Sequence, residues 1–380
     1  MNVKYIYIWM NIPSFHQNDL FNELTKYCDK LEVIYAHKHD ENRKLQGWNF
    51  EISQNYSSKI IGEDLNMLAL IRYSFNNRKS VHVVNGIWAE PSFLFVIILL
   101  NIFGAKFLIY SEASLTTKSR TFIKKMLLEF LITPFSKLLI IRAKGFLAVS
   151  ILGVNYFQSL GVHTRKIYRF GYFRNIKAII GINRNAQMIE LIFVGQLIEL
   201  KGIITLLEAV KIVSENNKSF HLTIVGTGKL APFLANFIEK NQLNKLVTLQ
   251  GVVSSDKVMN YIQKADLLIF PSICDGWGMV VNEALQSHIP VLISDQCGAK
   301  ELIKHEHSGL IFKGEDLNSL TENLLKFLGL SMEKREIMKN NAGEMGEKIA
   351  IPIVSNYLRL CIQHALNPVN PKPIAPWLND

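Results

Sequence analysis

Two carboxylates eight residues apart, Asp275 and Glu283, fall within the stretch 271–285, which reads Pro-Ser-Ile-Cys-Asp-Gly-Trp-Gly-Met-Val-Val-Asn-Glu-Ala-Leu. Gly276 and Gly278 are poor helix-interior residues, so Asp275 belongs to a loop, and the helix begins near Gly278 with Glu283 in its second turn. Such a helix start offers unpaired N–H groups and a partial positive charge to a phosphate, while neighbouring carboxylates accept hydrogen bonds from sugar hydroxyls. The combination suits a sugar linked through phosphate. A plain capping box would need an acid or amide at 278, where glycine stands. Glu283, flanked by Val280, Val281, Ala284 and Leu285, is predicted on a largely buried helix.

A cation is available upstream. After the apolar run 189–194 come Gly195 and Gln196, then Lys201-Gly202 at the start of a helix-period segment. A lysine near a helix N-terminus is mildly unfavourable unless an anion is bound there. The next apolar run ends in Gly226-Thr-Gly228-Lys229-Leu230-Ala231, which formally satisfies G-x-G-x-x-A. A dinucleotide site calls for an acid about 20 residues further on. The following strand ends in Gln250 instead, and the motif falls in the second βα unit of its domain. Gly226 and Gly228 therefore read as a tight turn bringing backbone close to a ligand, and hydride chemistry is disfavoured.

These residues need a scaffold that presents several strand ends together. Apolar runs alternate with helix-period segments at 5–9, 31–35, 81–84, 107–110 and 146–149, and again at 189–194, 221–225, 246–249, 267–270 and 290–293. That is the rhythm of parallel α/β sheets, whose ligands sit at the carboxyl ends of the strands. The irregular stretch 171–187 is the expected linker. The predicted domains are 1–185, 186–350 and a terminal segment 351–380, with a helix over 354–366 and a proline-rich tail expected to be disordered or extended.

In order and spacing, Gly195…Lys201-Gly202, Gly226-x-Gly228, Gly251-Val-Val253, Ala265-Asp266…Pro271-Ser272, Asp275…Glu283-Ala284, Pro290-Val291 and Gly298…Glu301-Leu302 resemble the C-terminal domain of the retaining glycosyltransferases of family 4, the group 1 glycosyl transferases. The resemblance covers residues 189 to about 330; the N-terminal half shares the rhythm and the Gly153…Leu160-Gly161-Val162 segment. It implies an α/β GT-B fold: two doubly wound Rossmann-like domains facing each other across a cleft, an N-terminal acceptor domain and a C-terminal donor domain, with the last helix crossing back to the first. It also implies roles. Glu283 would hold the nucleotide ribose, Asp275 the transferred sugar, and Lys201 the diphosphate. The amides of Trp277, Gly278, Met279 and Val280 would border sugar and diphosphate, and the backbone near Val253 would receive the base. Gln196 stands where the family commonly has Arg. Ser111-Glu112 stands where many members have a His, making Glu112 the candidate catalytic contact from the N-terminal domain. No metal and no cofactor are expected beyond a nucleotide-diphosphate sugar as co-substrate.

Charge is unevenly spread. Residues 1–185 hold 24 Lys and Arg against 12 Asp and Glu, and 113–185 hold 13 against the single acid Glu129. With Phe122, Met126, Leu127, Leu128, Phe130 and Leu131 around Lys124 and Lys125, this region predicts contact with an anionic membrane surface. No zinc-finger or RNP-type signature points to nucleic acid. Cys28, Cys274, Cys297 and Cys361 form no paired motif, so neither a disulfide framework nor a zinc site is expected. The N-terminus lacks a secretory pattern, and the most apolar run, 93–103, is too short for a span of roughly 20 residues. The expected location is the cytoplasm, peripheral on the inner face of the plasma membrane, with a lipid-linked or glycan acceptor. Competing readings on the same architecture are a sugar-nucleotide epimerase, a glycogen-type phosphorylase and a catalytically silent membrane adaptor.

Overall fold

Apolar strands alternating with helices become parallel strands buried on both faces, the arrangement that near-continuous Val, Ile, Leu and Phe runs require. The computed structural model describes residues 3–38, 54–87, 90–112, 133–176, 188–217 and 219–379. It divides into two units: one combines residues before Asn175 with those from Ile351 onward, and the other is Asn175–Ala350.

The first unit runs β1 (Tyr5–Met10), α1 (Phe15–Leu24), β2 (Lys30–Tyr35), β3 (Ser57–Ile60), α2 (Met67–Asn76), β4 (Val81–Asn85), α3 (Pro91–Ile102), β5 (Lys106–Ser111), α4 (Thr133–Ile140), β6 (Gly145–Val149), α5 (Ser150–Ser159) and β7 (Ile167–Phe170). Its strands lie in the order β3-β2-β1-β4-β5-β6-β7, all parallel. Leu70, Phe93, Val96, Ile97, Leu139 and Phe157 from the helices meet Trp9, Phe107 and Phe146 from the strands in one core. His82 is fully buried in this unit. The Trp9 indole donates to its Nδ1 at 3.2 Å, so the ring's own N–H is on Nε2, which reaches the Asn77 carbonyl at 3.1 Å. Burial pushes its pKa down to about 4, with the Asn77 carbonyl partly opposing. It is a neutral core residue.

The second unit runs β8 (Ile189–Val194), α6 (Ile203–Ser214), β9 (Phe220–Val225), α7 (Ala231–Lys240), β10 (Val247–Gly251), α8 (Ser255–Lys264), β11 (Leu267–Phe270), α9 (Met279–Gln286), β12 (Val291–Ser294), β13 (Gly309–Phe312), α10 (Leu317–Leu328) and α11 (Met332–Lys348). Strand order is β10-β9-β8-β11-β12-β13, again all parallel. Caps match the residues supplied: the Asp316 carboxylate accepts from Ser319 N at 3.0 Å and the Ser331 hydroxyl from Lys334 N at 3.3 Å. Lys339 of α11 is buried and pairs with Asp266 at 2.9 Å, tying that helix to the start of β11.

α12 (Ile351–Leu366) belongs to the first unit, where it packs against α1, β5 and β6. Of the two states expected of the proline-rich tail, disordered or extended, the second fits: residues 371–375 are neither helix nor strand and Ala375 is extended, but the tail is anchored. Trp377 is buried, 5.0 Å from the Phe173 ring and 5.8 Å from Tyr357. One large apolar side chain outweighs the stiff, poorly bonded prolines around it. Strands β3, β7 and β13 also lie outside the apolar runs. β3 reads Ser-Ser-Lys-Ile on a sheet edge, β7 carries Arg169, and β13 opens on Gly309, so each gives a weak periodic signal. Among the described residues, no helix is long and apolar enough to cross a membrane. Of the basic region 113–185, residues 113–132 and 177–185 lie outside the described residues, including Lys124, Lys125 and their apolar neighbours.

Candidate functional site

In the second sheet the strand order reverses between β8, which leads outward to β9 and β10, and β11, which leads to β12 and β13. A doubly wound sheet opens its ligand crevice at such a point, because the loops leaving the two central strands depart in opposite directions. Gly195, Gln196 and Lys201 follow β8, and Asp275 through Gly278 follow β11.

The β8 loop makes a short turn over Glu199–Lys201 and then a left-handed step at Gly202, with φ 66°. A Cβ there would sit 2.0 Å from the Pro271 carbonyl oxygen, so only glycine lets this loop close on the exit of β11. Ile273 N donates to Leu200 O at 2.9 Å and fixes the two loops together. Their side chains then meet: Lys201 Nζ lies 2.5 Å from Asp275 Oδ2 and 5.7 Å from the centre of the Phe270 ring. Both members are partly open to solvent, at 22% and 16% exposure.

Asp275 is held on its other side as well. Its Oδ1 accepts from Trp277 N at 3.1 Å, the side-chain turn for which aspartate is suited, and its carbonyl accepts from Gly298 N at 3.0 Å. Trp277 is buried; its carbonyl accepts from Ala299 N at 2.9 Å and its indole donates to Asn282 Oδ1 at 2.8 Å. The loop is thereby clamped between the segment after β12 and the first turns of α9. Gly278 is the N-cap of α9 and supplies no capping side chain, which leaves Met279 and Val280 at a helix start with its positive dipole end. Glu283 lies in the second turn, with residues 280–285 all buried.

On the far side of β8, Gly226 has φ 140°, and a Cβ would come within 1.9 Å of the Gly195 oxygen. Leu197 N donates to Thr227 O at 2.9 Å and Leu230 N to Leu197 O at 3.0 Å, so Gly195, Gln196, Gly226 and Gly228 share one interlocked pair of loops. Gly226 N in turn reaches Gly251 O at 2.9 Å, two residues before the half-buried Val253. Glu112 belongs to the first unit, just after β5, where the Ser111 hydroxyl donates to its carbonyl at 2.9 Å.

Two residues that the sequence does not single out brace the site. Asn282 is fully buried and accepts the Trp277 indole; a polar residue inside the apolar run 279–285 was its only signal. Cys297, just after β12, forms an isolated bridge with Asp275 and donates its thiol to Ser272 O at 3.4 Å. Burial, and then the Asp275 charge, push that thiol's pKa well up, against a smaller opposite pull from Lys201. It stays a thiol and acts as a donor. Nothing in its spacing marks it. Among the described residues, no three His, Cys, Asp or Glu side chains gather as a metal site would need.

Residues 175–345 match the family model described as glycosyl transferases group 1. A stretch of 159 residues, 42% of this chain and 43% of the relative, is 30% identical to an uncharacterized glycosyltransferase of Methanocaldococcus jannaschii. Over 223 residues, 57% of this chain and 55% of the relative, identity is 27% to the putative colanic acid biosynthesis glycosyltransferase WcaL of Escherichia coli. The matches thus span about half the length of these relatives. The fold is shared more widely: Anabaena HepE in complex with UDP superposes with a TM-score of 0.70 at 13% identity, over 93% of this chain and 98% of that one. The two units share the Rossmann-like α/β fold of the GT-B architecture, and residues 175–345, in the second of them, are similar to the group 1 glycosyl transferases.

Proposed function

We propose that this protein is a retaining glycosyltransferase that moves a sugar from a nucleoside diphosphate to a glycan or lipid-linked acceptor. The observation that carries the reading is the Lys201–Asp275 pair at the strand-order reversal, beside the uncapped start of α9. An ammonium and a set of helix amides suit a diphosphate; a carboxylate beside them suits sugar hydroxyls.

On this reading Lys201 neutralises the diphosphate. The charge there grows as the bond from the anomeric carbon to the phosphate oxygen breaks, so Lys201 contributes more in the transition state than in the ground state. Its ammonium has three donors, and the one engaged with Asp275 leaves others for phosphate oxygens. Asp275 orients the transferred sugar, Glu283 holds the ribose, and the amides of Trp277, Gly278, Met279 and Val280 border the sugar and diphosphate. Gly195, Gly226 and Gly228 let the backbone approach the ligand, with Gln196 beside them as an uncharged donor. The base rests near Val253, and Glu112, after β5, is a further candidate catalytic residue. The acceptor oxygen bonds to the anomeric carbon on the face that the phosphate leaves, and the departing phosphate takes the acceptor's proton. No general-base pair is required, and Lys201 with the α9 amides supplies the positive charge that a metal or other cofactor would otherwise bring.

Support for a polysaccharide product comes from the likeness to a protein named for colanic acid biosynthesis. Support for a membrane-borne acceptor, met from the cytoplasmic side, comes from the basic excess of residues 113–185. A thermal-shift screen across nucleotide sugars, followed by transfer assays, tests the reading. Lys201→Ala and Glu283→Gln are each expected to lower transfer by 100-fold or more, about the size of losing one transition-state donor. Transfer at the wild-type rate in both variants would refute the site.

A further inference from the structure

Helices α2, α3 and α4 lie side by side on one face of the first sheet, with α3 in contact with both others and inward residues of all three sharing one core. Their outward sides depart from the polar surface of a water-facing helix. On α2, Met67, Leu68, Ile71 and Phe75 are all exposed, and their spacing puts them on a single stripe. α3 holds no charged residue in twelve and ends on Ile102, 68% exposed. Along α4 and just past it, Phe135, Leu138 and Ile141 recur every third residue, the last two 65% and 67% exposed.

Cations dominate along these helices; the acids Glu63, Asp64 and Glu90 lie just before the helix starts, with Glu63 3.7 Å from Lys38 and Glu90 3.0 Å from His37. Arg72, Arg78 and Lys79 flank the α2 stripe, Lys106 follows α3, and Lys137, Arg142 and Lys144 follow the α4 row, while residues 66–80, 91–106 and 133–144 contain no Asp or Glu. Arg78 lies with its guanidinium 4.0 Å from the Phe75 ring centre, and that ring meets Phe103 edge-on at 5.3 Å. The α2 and α3 ends therefore form a continuous apolar ridge edged by cations. Four exposed lysines argue against a protein partner, because the centres of protein interfaces are depleted of lysine. They fit a bilayer, where stems lie along the acyl boundary and heads reach the lipid phosphates.

We propose that this three-helix face seats the protein on an anionic lipid bilayer, with Leu68, Ile102, Leu138 and Ile141 entering the acyl boundary and the arginines and lysines around them meeting lipid phosphates. The proposal rests on the membrane-borne acceptor of the proposed function and makes no use of the donor site. It moves the contact beyond the segment 113–185 that the charge count alone singles out, since the α2 stripe lies before it.

The test is co-sedimentation of the full chain with vesicles of mixed phosphatidylglycerol and phosphatidylcholine, against phosphatidylcholine alone. The wild-type protein is expected to bind the anionic vesicles and to lose binding as salt rises. The double variant Leu68→Gln/Leu138→Gln, altered only at exposed positions, is expected to keep its melting temperature and its thermal shift with nucleotide sugar. Its vesicle affinity should fall about 100-fold, roughly tenfold for each leucine withdrawn from the acyl boundary. Leu138→Trp should give blue-shifted emission on anionic vesicles, quenched by lipids brominated in the acyl chain. If the double variant binds as tightly as wild type, or the new tryptophan stays in water, this face is not the contact, and the membrane reading survives through another surface. If wild type ignores anionic vesicles while still binding nucleotide sugar, the inference and the membrane reading both fall and the donor site stands.

Discussion

The ammonium of Lys201 and the carboxylate of Asp275, 74 residues apart in the chain, meet at 2.5 Å where the strand order of the second sheet reverses. The contact depends on backbone that has no freedom to place it elsewhere: Gly202 lies against Pro271, and Ile273 bonds to Leu200. Partly exposed ion pairs contribute about 0–1 kcal/mol to stability. A pair so firmly positioned contributes little to folding, and the proposed function gives it a role in donor binding that its variants can test.

Lys201→Ala and Asp275→Asn should therefore separate binding from folding. Each is expected to shift the unfolding free energy by less than about 1 kcal/mol in urea titrations. Asn at 275 retains an oxygen for Trp277 N, so the loop should keep its shape while Lys201 loses its anionic partner. Loss of cooperative folding in Asp275→Asn would show that the pair is structural.

Gly226→Ala should be severe although it adds one methyl. The new Cβ would lie 1.9 Å from the Gly195 oxygen, at a φ of 140° that side chains rarely adopt, so the β8 and β9 loops must part. A loss of more than about 2 kcal/mol is expected, together with the nucleotide-sugar thermal shift. Gly62→Ala is the control: its φ is also positive, but nothing crowds a Cβ there, and the lower cost should leave ligand binding intact.

Trp277→Phe keeps an aromatic ring but removes the indole N–H that Asn282 Oδ1 accepts, together with part of the buried bicycle. Loss of that hydrogen bond costs about 0.5–1.5 kcal/mol, and the lost packing adds to it. Chemical denaturation should show the destabilisation; an unchanged unfolding free energy would mean that neither the bond nor the packing stabilises the loop.

His82 predicts an acid-side loss of stability in the first unit. Its folded pKa is about 4 against 6.5 for the free side chain, so between those values the unfolded chain holds a proton that the folded chain does not. The stabilisation is complete above pH 6.5 and is lost as pH falls toward 4, with a total on the order of 3 kcal/mol. Urea titrations at pH 7, 6, 5 and 4 should show that slope in the wild type and a flatter one in His82→Gln.

What the sequence conveys here is local. Runs such as Ile-Glu-Leu-Ile-Phe-Val at β8 and Leu-Leu-Ile-Phe at β11 reveal strands because both faces are buried, and Asp275, Gly278 and Glu283 reveal a loop and a helix start through glycine chemistry alone. Residues that act through distant neighbours leave no such trace. Cys297 acquires its place by bridging to Asp275, and Trp377 acquires its by finding Phe173 across two hundred residues of chain. The meeting of Lys201 with Asp275 is of the same kind, for each is legible as a candidate site residue while their contact is not.

The first unit is interrupted: its sheet is laid down by residues before Asn175, while α12, which packs against β5 and β6, and the Trp377 plug arrive only after the entire second unit. During synthesis the later unit can close first, and the earlier one must wait with part of its sheet uncovered. Each nascent molecule therefore passes through an interval in which an already synthesised Rossmann sheet is exposed to chaperones and proteases, and the length of that interval is set by the time needed to translate residues 175–350.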